Sequence, residues 1–341
     1  MFAWKMQSLV WLFLPESRDI NFSLLLLALL LGFCALLFAA GRWLRRPGWS
    51  RSALVLGFAV LCISAVMYLM RPHWLEVAMR PVVPMPALSP LQWQQPAPGL
   101  ETAETVLSVD GVAVDRMVLV RLDPQQYRLS VHWDPAGSKT AEQWQAALGA
   151  AVVVNGSYFA QDFTPLTPLR HAGEHYGPLQ YSSDHGALVL NGLQPAIIDL
   201  KGRDVDAAIA PFADAMVSYP LLIDADGRNR ATESRHWLAA RNFVALDRAG
   251  RVILGSTETG FFTIYRLGEF LRQAPLDLQL ALNLDGGPLV SQVVKAGTFE
   301  RRFHGTAEIS NGHDILRVFW HPLFKTHWTL PIVLAAVPVQ R

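Results

Sequence analysis

Asp285 closes an apolar run, Leu280-Ala281-Leu282-Asn283-Leu284, and is followed by Gly286-Gly287-Pro288. A carboxylate at such a strand end sits at a partly dry mouth. There it can serve as a nucleophile or steady a developing positive charge, while glycines let a ligand approach the backbone closely. A second stretch has the same build: Ala151-Val152-Val153-Val154 runs into Asn155-Gly156-Ser157-Tyr158-Phe159. In both, a strand of buried type ends in a glycine turn that exposes N–H groups beside a polar side chain, a fit for an anion or a sugar. Tyr158 and Phe159 would add an aromatic wall. The plain alternative is that Asp-Gly and Asn-Gly are ordinary turn dipeptides.

Arg241 lies between Ala239-Ala240 and Phe243-Val244-Ala245, so its charge needs a partner at a strand start. A phosphate or a carboxylate would serve, because a guanidinium can make two parallel bonds to either; a structural ion pair is the competing reading. Arg170 and Arg235 are weaker candidates of the same kind. Tyr219-Pro220 reads as a strand edge, with Tyr219 as a pocket wall. His171 and His175 have the i, i+4 spacing of a helical zinc pair. Pro168, Gly173, Gly177 and Pro178 argue against a helix there, and no third ligand is spaced to join them, so neither metal nor cofactor is expected. His185 and His304 read as surface or loop histidines.

Taken in order, these stretches resemble the phosphodiester glycosidase family, which carries an Asn-Gly-Gly-Tyr/Met-Phe element early and a Leu-Asp-Gly-Gly element late. Between the two the family has an Arg-bearing strand before an Asp-x-x-Gly turn, matched by Arg241 to Leu246 and Asp247-Arg248-Ala249-Gly250. The likeness runs from about Leu100 to Phe319. It departs from the family at Ser157, where a second glycine is usual, and at Pro288-Leu289, where Ser or Thr is usual. The resemblance implies hydrolysis of a sugar from a glycosyl phosphodiester. Asp285 would stabilise the positive ring, Arg241 and the amides of Gly156, Gly286 and Gly287 would stabilise the departing phosphate, and Asn155 would be a further catalytic residue. Asp162, Glu174 and Asp184 are equally placed as a second carboxylate. A non-catalytic module that binds envelope glycan or scaffolds polysaccharide export would use the same pocket without needing the charge of Asp285.

What delivers these loops is an exported domain on a membrane anchor. The 341-residue chain is 51% hydrophobic. Phe22–Ala40 and Ser52–Leu69 are uncharged runs, the first about 28 Å long as a helix and close to the thickness of a bilayer core. Arg42, Arg45, Arg46 and Arg51 fill the gap without an acidic residue, which places that loop in the cytoplasm and the rest outside. The reading is a transmembrane helical hairpin over residues 1–70 in the inner membrane, with a periplasmic or extracellular domain. A cleaved signal peptide is the competitor. Met1 to Leu14 is too short to span and would lie in the interface, with Trp4 and Trp11 as anchors. Cys34 and Cys62 both fall inside the spans, so the exported part would fold without disulfides. With 29 basic and 28 acidic residues there is no sign of nucleic-acid binding.

Residues 71–99 read as a linker, since six of the eighteen residues from Pro81 to Pro98 are proline. The domain would occupy 100–341. Strands are expected at Val112–Val120, Tyr127–His132, Ala187–Leu190, Met216–Ile223, Asn242–Leu246, Val252–Leu254 and Ile315–Phe319. Thr140 and Gln143 have capping-box spacing before a helix closed by Gly149, and Thr263 should cap another. Strands outnumber helices without alternating with them, so the expectation is α+β with a largely mixed β-sheet and few helices.

Overall fold

The computed structural model describes residues 73–80, 82–181, 185–192, 194–234, 237–312, 315–320 and 328–339, and the single positions 38 and 57. Apart from those two positions, the spans expected at 22–40 and 52–69 lie outside the described residues. Among the described residues, no helix is long and apolar enough to cross a membrane. The chain divides into two compact units, Met1–Val83 and Pro84–Arg341. In the first, the short helix α1 (His73–Ala78) is described.

The second unit opens with β1 (Ala87–Leu88), β2 (Gln94–Ala97), β3 (Leu100–Val109), β4 (Val112–Leu122) and β5 (Tyr127–Trp133), then α2 (Ala141–Leu148). Next come β6 (Val152–Asn155), β7 (Leu169–His171), β8 (Glu174–Tyr176), β9 (Gly186–Asn191) and β10 (Gln194–Asp199) before α3 (Val205–Ile209). β11 (Asp214–Ser218), β12 (Leu221–Ile223), β13 (Trp237–Ala239), β14 (Asn242–Asp247) and β15 (Val252–Thr257) lead to α4 (Ile264–Gln273). The chain then runs through β16 (Leu278–Asn283), β17 (Ser291–Ala296), β18 (Phe299–His304), β19 (Ala307–Gly312), β20 (Ile315–Trp320) and β21 (Ile332–Pro338).

Four sheets result. The largest has the order β1-β3-β4-β15-β14-β16-β12 with β2 also on β3; the others are β18-β17-β6-β21-β5, β10-β9-β11-β7-β8 and β13-β19-β20. The expectation of a few-helix, strand-rich domain holds, but the sheets are not mixed. Every ladder among the described residues is antiparallel. One reason is visible at β5 and β6, joined through α2. The late strand β21 inserts between them, pairing with both, so two strands that would lie parallel side by side never touch. The stretch taken as a tether also contributes pairing, since β1 and β2 both hydrogen-bond to β3.

Local signals in the sequence act as their chemistry dictates. Thr140 and Gln143 complete a reciprocal capping box on α2, and Gly149 ends it at φ 59°. Thr263 caps α4 by accepting from the Arg266 amide at 3.1 Å. The Gly250 turn joins β14 and β15 in register from Asn242↔Ser256 to Leu246↔Val252. The run Met216–Ile223, read as one strand, is two: Pro220 cannot donate to a ladder, and β11 and β12 lie in different sheets on either side of the cis Tyr219–Pro220 peptide. A shared core joins the sheets, with Val120, Val154, Leu188, Leu254, Leu282 and Leu334 among its fully buried members.

Candidate active site

The strands ending at Asn155 and Asn283 belong to different sheets, β6 and β16, yet the loops that follow them meet. Asn155 is the joint. Its Nδ2 donates to the Asp285 carbonyl at 2.8 Å, and its Oδ1 accepts from Asn242 Nδ2 and from the Ser291 amide, each at 2.9 Å. Asp285 N in turn donates to the Gly156 carbonyl at 3.0 Å. The bracket is held from behind, where Ser256 Oγ donates to Asn242 Oδ1 at 2.9 Å and Gln292 Nε2 donates to Ser256 Oγ at 3.1 Å. With every polar atom used and only 2% of its surface exposed, Asn155 positions the Asp285 loop from inside the protein.

The glycines act differently from the expectation that their amides would cradle an anion. Gly156 N donates to the Ile332 carbonyl, Gly287 N to the Ala240 carbonyl, and Gly286 N to Oδ1 of Asp285. Backbone pairing past both strand ends consumes the Gly156 and Gly287 donors, and the Asp285 carboxylate takes that of Gly286. What demands glycine is space. A Cβ on Gly156 would lie 2.5 Å from Ile332 Cγ2, and one on Gly287, which is at φ +69°, would lie 2.6 Å from an oxygen of Glu308. Ser157, in the family's glycine position, is buried with its Oγ accepting from Thr167 Oγ1 at 3.1 Å.

Arg241 begins β14's approach to the same corner and is 3% exposed. Its Nε donates to the Phe262 carbonyl at 3.0 Å and its Nη2 to the Trp237 carbonyl at 2.6 Å. Nη1 lies 3.6 Å from where a Cβ on Gly286 would stand. Among the described residues no carboxylate comes within the 4.0 Å of an ion pair with it, so the structural salt bridge weighed from sequence is not what holds this charge. Burial pulls its pKa down to about 10, against the opposing pull of Tyr158, Glu308 and Asp285. A buried cation resting on two neutral carbonyls keeps most of its attraction for an incoming anion.

Burial pushes the Asp285 carboxyl up to about 7; the Gly286 amide and Arg241 pull it down, and Glu308 pushes it further up. The like-charged neighbour is on β19 and was not among the candidates read from sequence. Glu308 Oε1 accepts from the indole of Trp237 at 2.9 Å. No motif marks this residue: it stands in a plain strand of the three-stranded sheet, and only long-range pairing of β19 with β13 carries it here. The carboxylates considered earlier lie elsewhere. Asp162 is exposed and accepts from Thr164, Glu174 is exposed on β8, and Asp184 lies outside the described residues, as does Arg235.

Tyr158 links the loop to the cavity. Its hydroxyl donates to the Tyr219 carbonyl at 2.9 Å and accepts from Asn283 Nδ2 at 2.6 Å, while the two tyrosine rings stand 5.4 Å apart. Tyr219 and Arg241 then line a cavity of about 710 Å³ together with Tyr181, His185, Trp237 and Tyr265, among others. Asp285 borders that wall without being part of its lining. His185, read as a surface histidine, is buried and lines the cavity; His304 lies away from it, between Ser291 Oγ and Glu142. Phe159 packs beside Phe163 against the core and stays off the cavity.

His171 and His175 sit across from each other on the β7–β8 hairpin, His171 pairing with Glu174 and His175 with Arg170, so the helical spacing behind the zinc reading does not exist. Each lies 3.4 Å from a carboxylate, of Asp214 and Asp206 respectively. Arg170 is a structural clasp that donates to the carbonyls of Phe212 and Gly173.

Residues 148–314 match the family model of the phosphodiester glycosidases. No curated protein matches the chain. Among solved structures, a hypothetical protein from Synechocystis is similar at 14% identity and a TM-score of 0.47, over 73% of this chain and 64% of that one. The chain thus spans a little under two thirds of that relative's length. The catalytic domain of zebrafish N-acetylglucosamine-1-phosphodiester alpha-N-acetylglucosaminidase, auto-inhibited by its pro-peptide, is similar at 14% identity and a TM-score of 0.48, over 75% of this chain and 89% of that one. A putative exported protein of Burkholderia pseudomallei is similar at 13% identity and a TM-score of 0.40, over 66% and 74%.

Proposed function

We propose that this chain, whose residues 148–314 match the phosphodiester glycosidase family model, hydrolyses a sugar from a glycosyl phosphodiester of the cell envelope. The observation that carries the reading is Arg241, a buried guanidinium with no carboxylate in ion-pair reach among the described residues, standing on a cavity wall beside Asp285. A phosphodiester brings the anion that Arg241 lacks. The aromatic surfaces of Tyr219 and Trp237 offer the flat apolar contact that sugar rings take.

In the proposed reaction the bond from the anomeric carbon to the phosphate oxygen breaks, and its electron pair leaves with the phosphate. Positive charge builds on the sugar ring, and the ionised Asp285 stabilises it. Arg241 stabilises the added negative charge on the phosphomonoester as it departs. Water supplies the new hydroxyl at the anomeric carbon, and Glu308 takes the proton that water gives up. Asn155 holds the Asp285 loop in place and touches no substrate.

The envelope setting rests on the two apolar runs at 22–40 and 52–69 with their arginine-rich gap, which would leave the domain periplasmic or extracellular, tied to the bilayer. Release of free sugar and phenyl phosphate from sugar-1-phosphate phenyl esters by the full-length chain tests the activity. A panel covering both anomers of the common hexoses and N-acetylhexosamines that yields no free sugar rejects it.

A further inference from the structure

The cavity is roomy and its lining is basic. Pockets for small ligands run from about 300 to 1,000 Å³, and at about 710 Å³ this one lies in the upper part of that range. Besides Arg241 its lining carries Lys201, Arg203 and Arg230, and among the described residues no aspartate or glutamate lines it. Arg230 is answered from behind: it donates to Asp224 at 2.9 Å and pairs with Asp199 through both terminal nitrogens.

Lys201 and Arg203 lie at the exposed edge of the cavity. They flank Gly202, at φ +70°, in an exposed turn that ends β10, and the Arg203 amide closes the turn on the Leu200 carbonyl at 3.0 Å. Arg203 has no ion-pair partner within 4.0 Å among the described residues. The turn hangs on Asp199, whose Oδ1 accepts the Lys201 amide at 2.9 Å and which is itself clamped to Arg230. Two exposed cations are thus held at a cavity mouth by a partly buried ion-pair cluster, not carried on a free loop.

We propose that the substrate of the Arg241–Asp285 site is a glycosyl phosphodiester whose aglycone carries a second phosphate, and that Lys201 and Arg203 bind this second phosphate. The inference rests on the phosphodiester glycosidase reading above and names the class of its aglycone. Arg241 holds the scissile phosphate, the aromatic side chains hold the sugar, and the turn at Gly202 selects what lies beyond. The second phosphate stays on the leaving group and takes no part in bond breaking. In this arrangement a singly charged aryl ester is a poor substrate, and added salt weakens the preference for the doubly charged one because the turn is open to solvent.

The test compares the full-length protein with a K201A/R203A variant on two substrates, a sugar-1-phosphate ester of phenol and the same sugar-1-phosphate ester of 4-hydroxyphenyl phosphate. The wild type is expected to favour the second by at least about tenfold in kcat/KM, and the variant to lose that preference; two exposed charge contacts of this kind account for about tenfold. A preference unchanged by the substitutions overturns the proposal. If neither ester is hydrolysed the glycosidase reading fails, and equilibrium binding of inorganic pyrophosphate then judges the subsite by itself. Binding at least about fivefold weaker in the variant supports it, and equal binding overturns it. Both side chains are exposed, so a melting temperature matching the wild type confirms that the fold is intact.

Discussion

Asn155 and Asp285 are joined by a hydrogen bond of 2.8 Å from a side-chain amide to a main-chain carbonyl, across 130 residues of sequence. The bond ties the end of a strand in one sheet to the loop leaving another. The same amide also accepts from Asn242 and from the Ser291 backbone. The position of the Asp285 carboxyl is therefore set by a side chain that never reaches the cavity.

Replacing Asn155 with alanine strands two donors and a carbonyl in the interior. Unfolding by urea should show a loss of about 2–4 kcal/mol, from unsatisfied buried groups and the missing bonds. Turnover should fall at a pH where Asp285 is ionised, with the pH midpoint displaced because the loop is no longer held. A variant within 0.5 kcal/mol of wild type, as an approximate limit of measurement, would deny the bracket its role.

Asp285 has a raised pKa, about 7 against an ordinary 3.8. The folded state therefore binds the proton more tightly than the unfolded chain. The stability linked to that proton is complete below the unfolded value and is lost as pH climbs through 7. Asp285→Asn should thus be more stable than wild type above pH 8, by about 1–3 kcal/mol, with the gain disappearing toward pH 4. Matched urea titrations at the two pH values read this directly. A gain of the same size at both would mean that ionisation is not its source.

The same shift shapes activity. If Asp285 works in its ionised form, kcat/KM rises with pH along a limb centred near 7. Glu308 contributes to that position by repulsion, so Glu308→Gln should move the limb to lower pH while also reducing the rate. A limb that stays put, with the rate alone reduced, would separate Glu308 from Asp285.

Arg241→Lys keeps the charge but not the geometry. A lysine cannot donate to the Phe262 and Trp237 carbonyls while presenting a third nitrogen toward Gly286. Steady-state kinetics should show kcat/KM lower by about a hundredfold, more than a surface charge swap would cause. A loss under about threefold would remove Arg241 from the phosphate site.

Much of this site could be read in the chain before its fold. Asp285 and Asn155 announce themselves as polar groups at the end of an apolar run beside glycine, and Arg241 as a charge set within an apolar stretch, and all three meet. Their division of labour could not be read in the same way. Whether a glycine amide is open to a ligand depends on which carbonyl a distant strand brings to it, here those of Ile332 and Ala240. Glu308 was hidden for the same reason, since its neighbourhood is created by the pairing of β19 with β13. The antiparallel order of β5, β21 and β6 is likewise settled by a strand that arrives nearly two hundred residues after the first, a contact of high sequence separation with no local trace.

The most direct test is the fate of the oxygen atom from water. Full-length protein turning over a sugar-1-phosphate phenyl ester in ¹⁸O-labelled water should place the label at the anomeric hydroxyl of the freshly released sugar and leave phenyl phosphate unlabelled, because Arg241 and Asp285 serve cleavage at carbon. Label found in the phosphate, or sugar released still phosphorylated, would mean attack at phosphorus and would contradict the account.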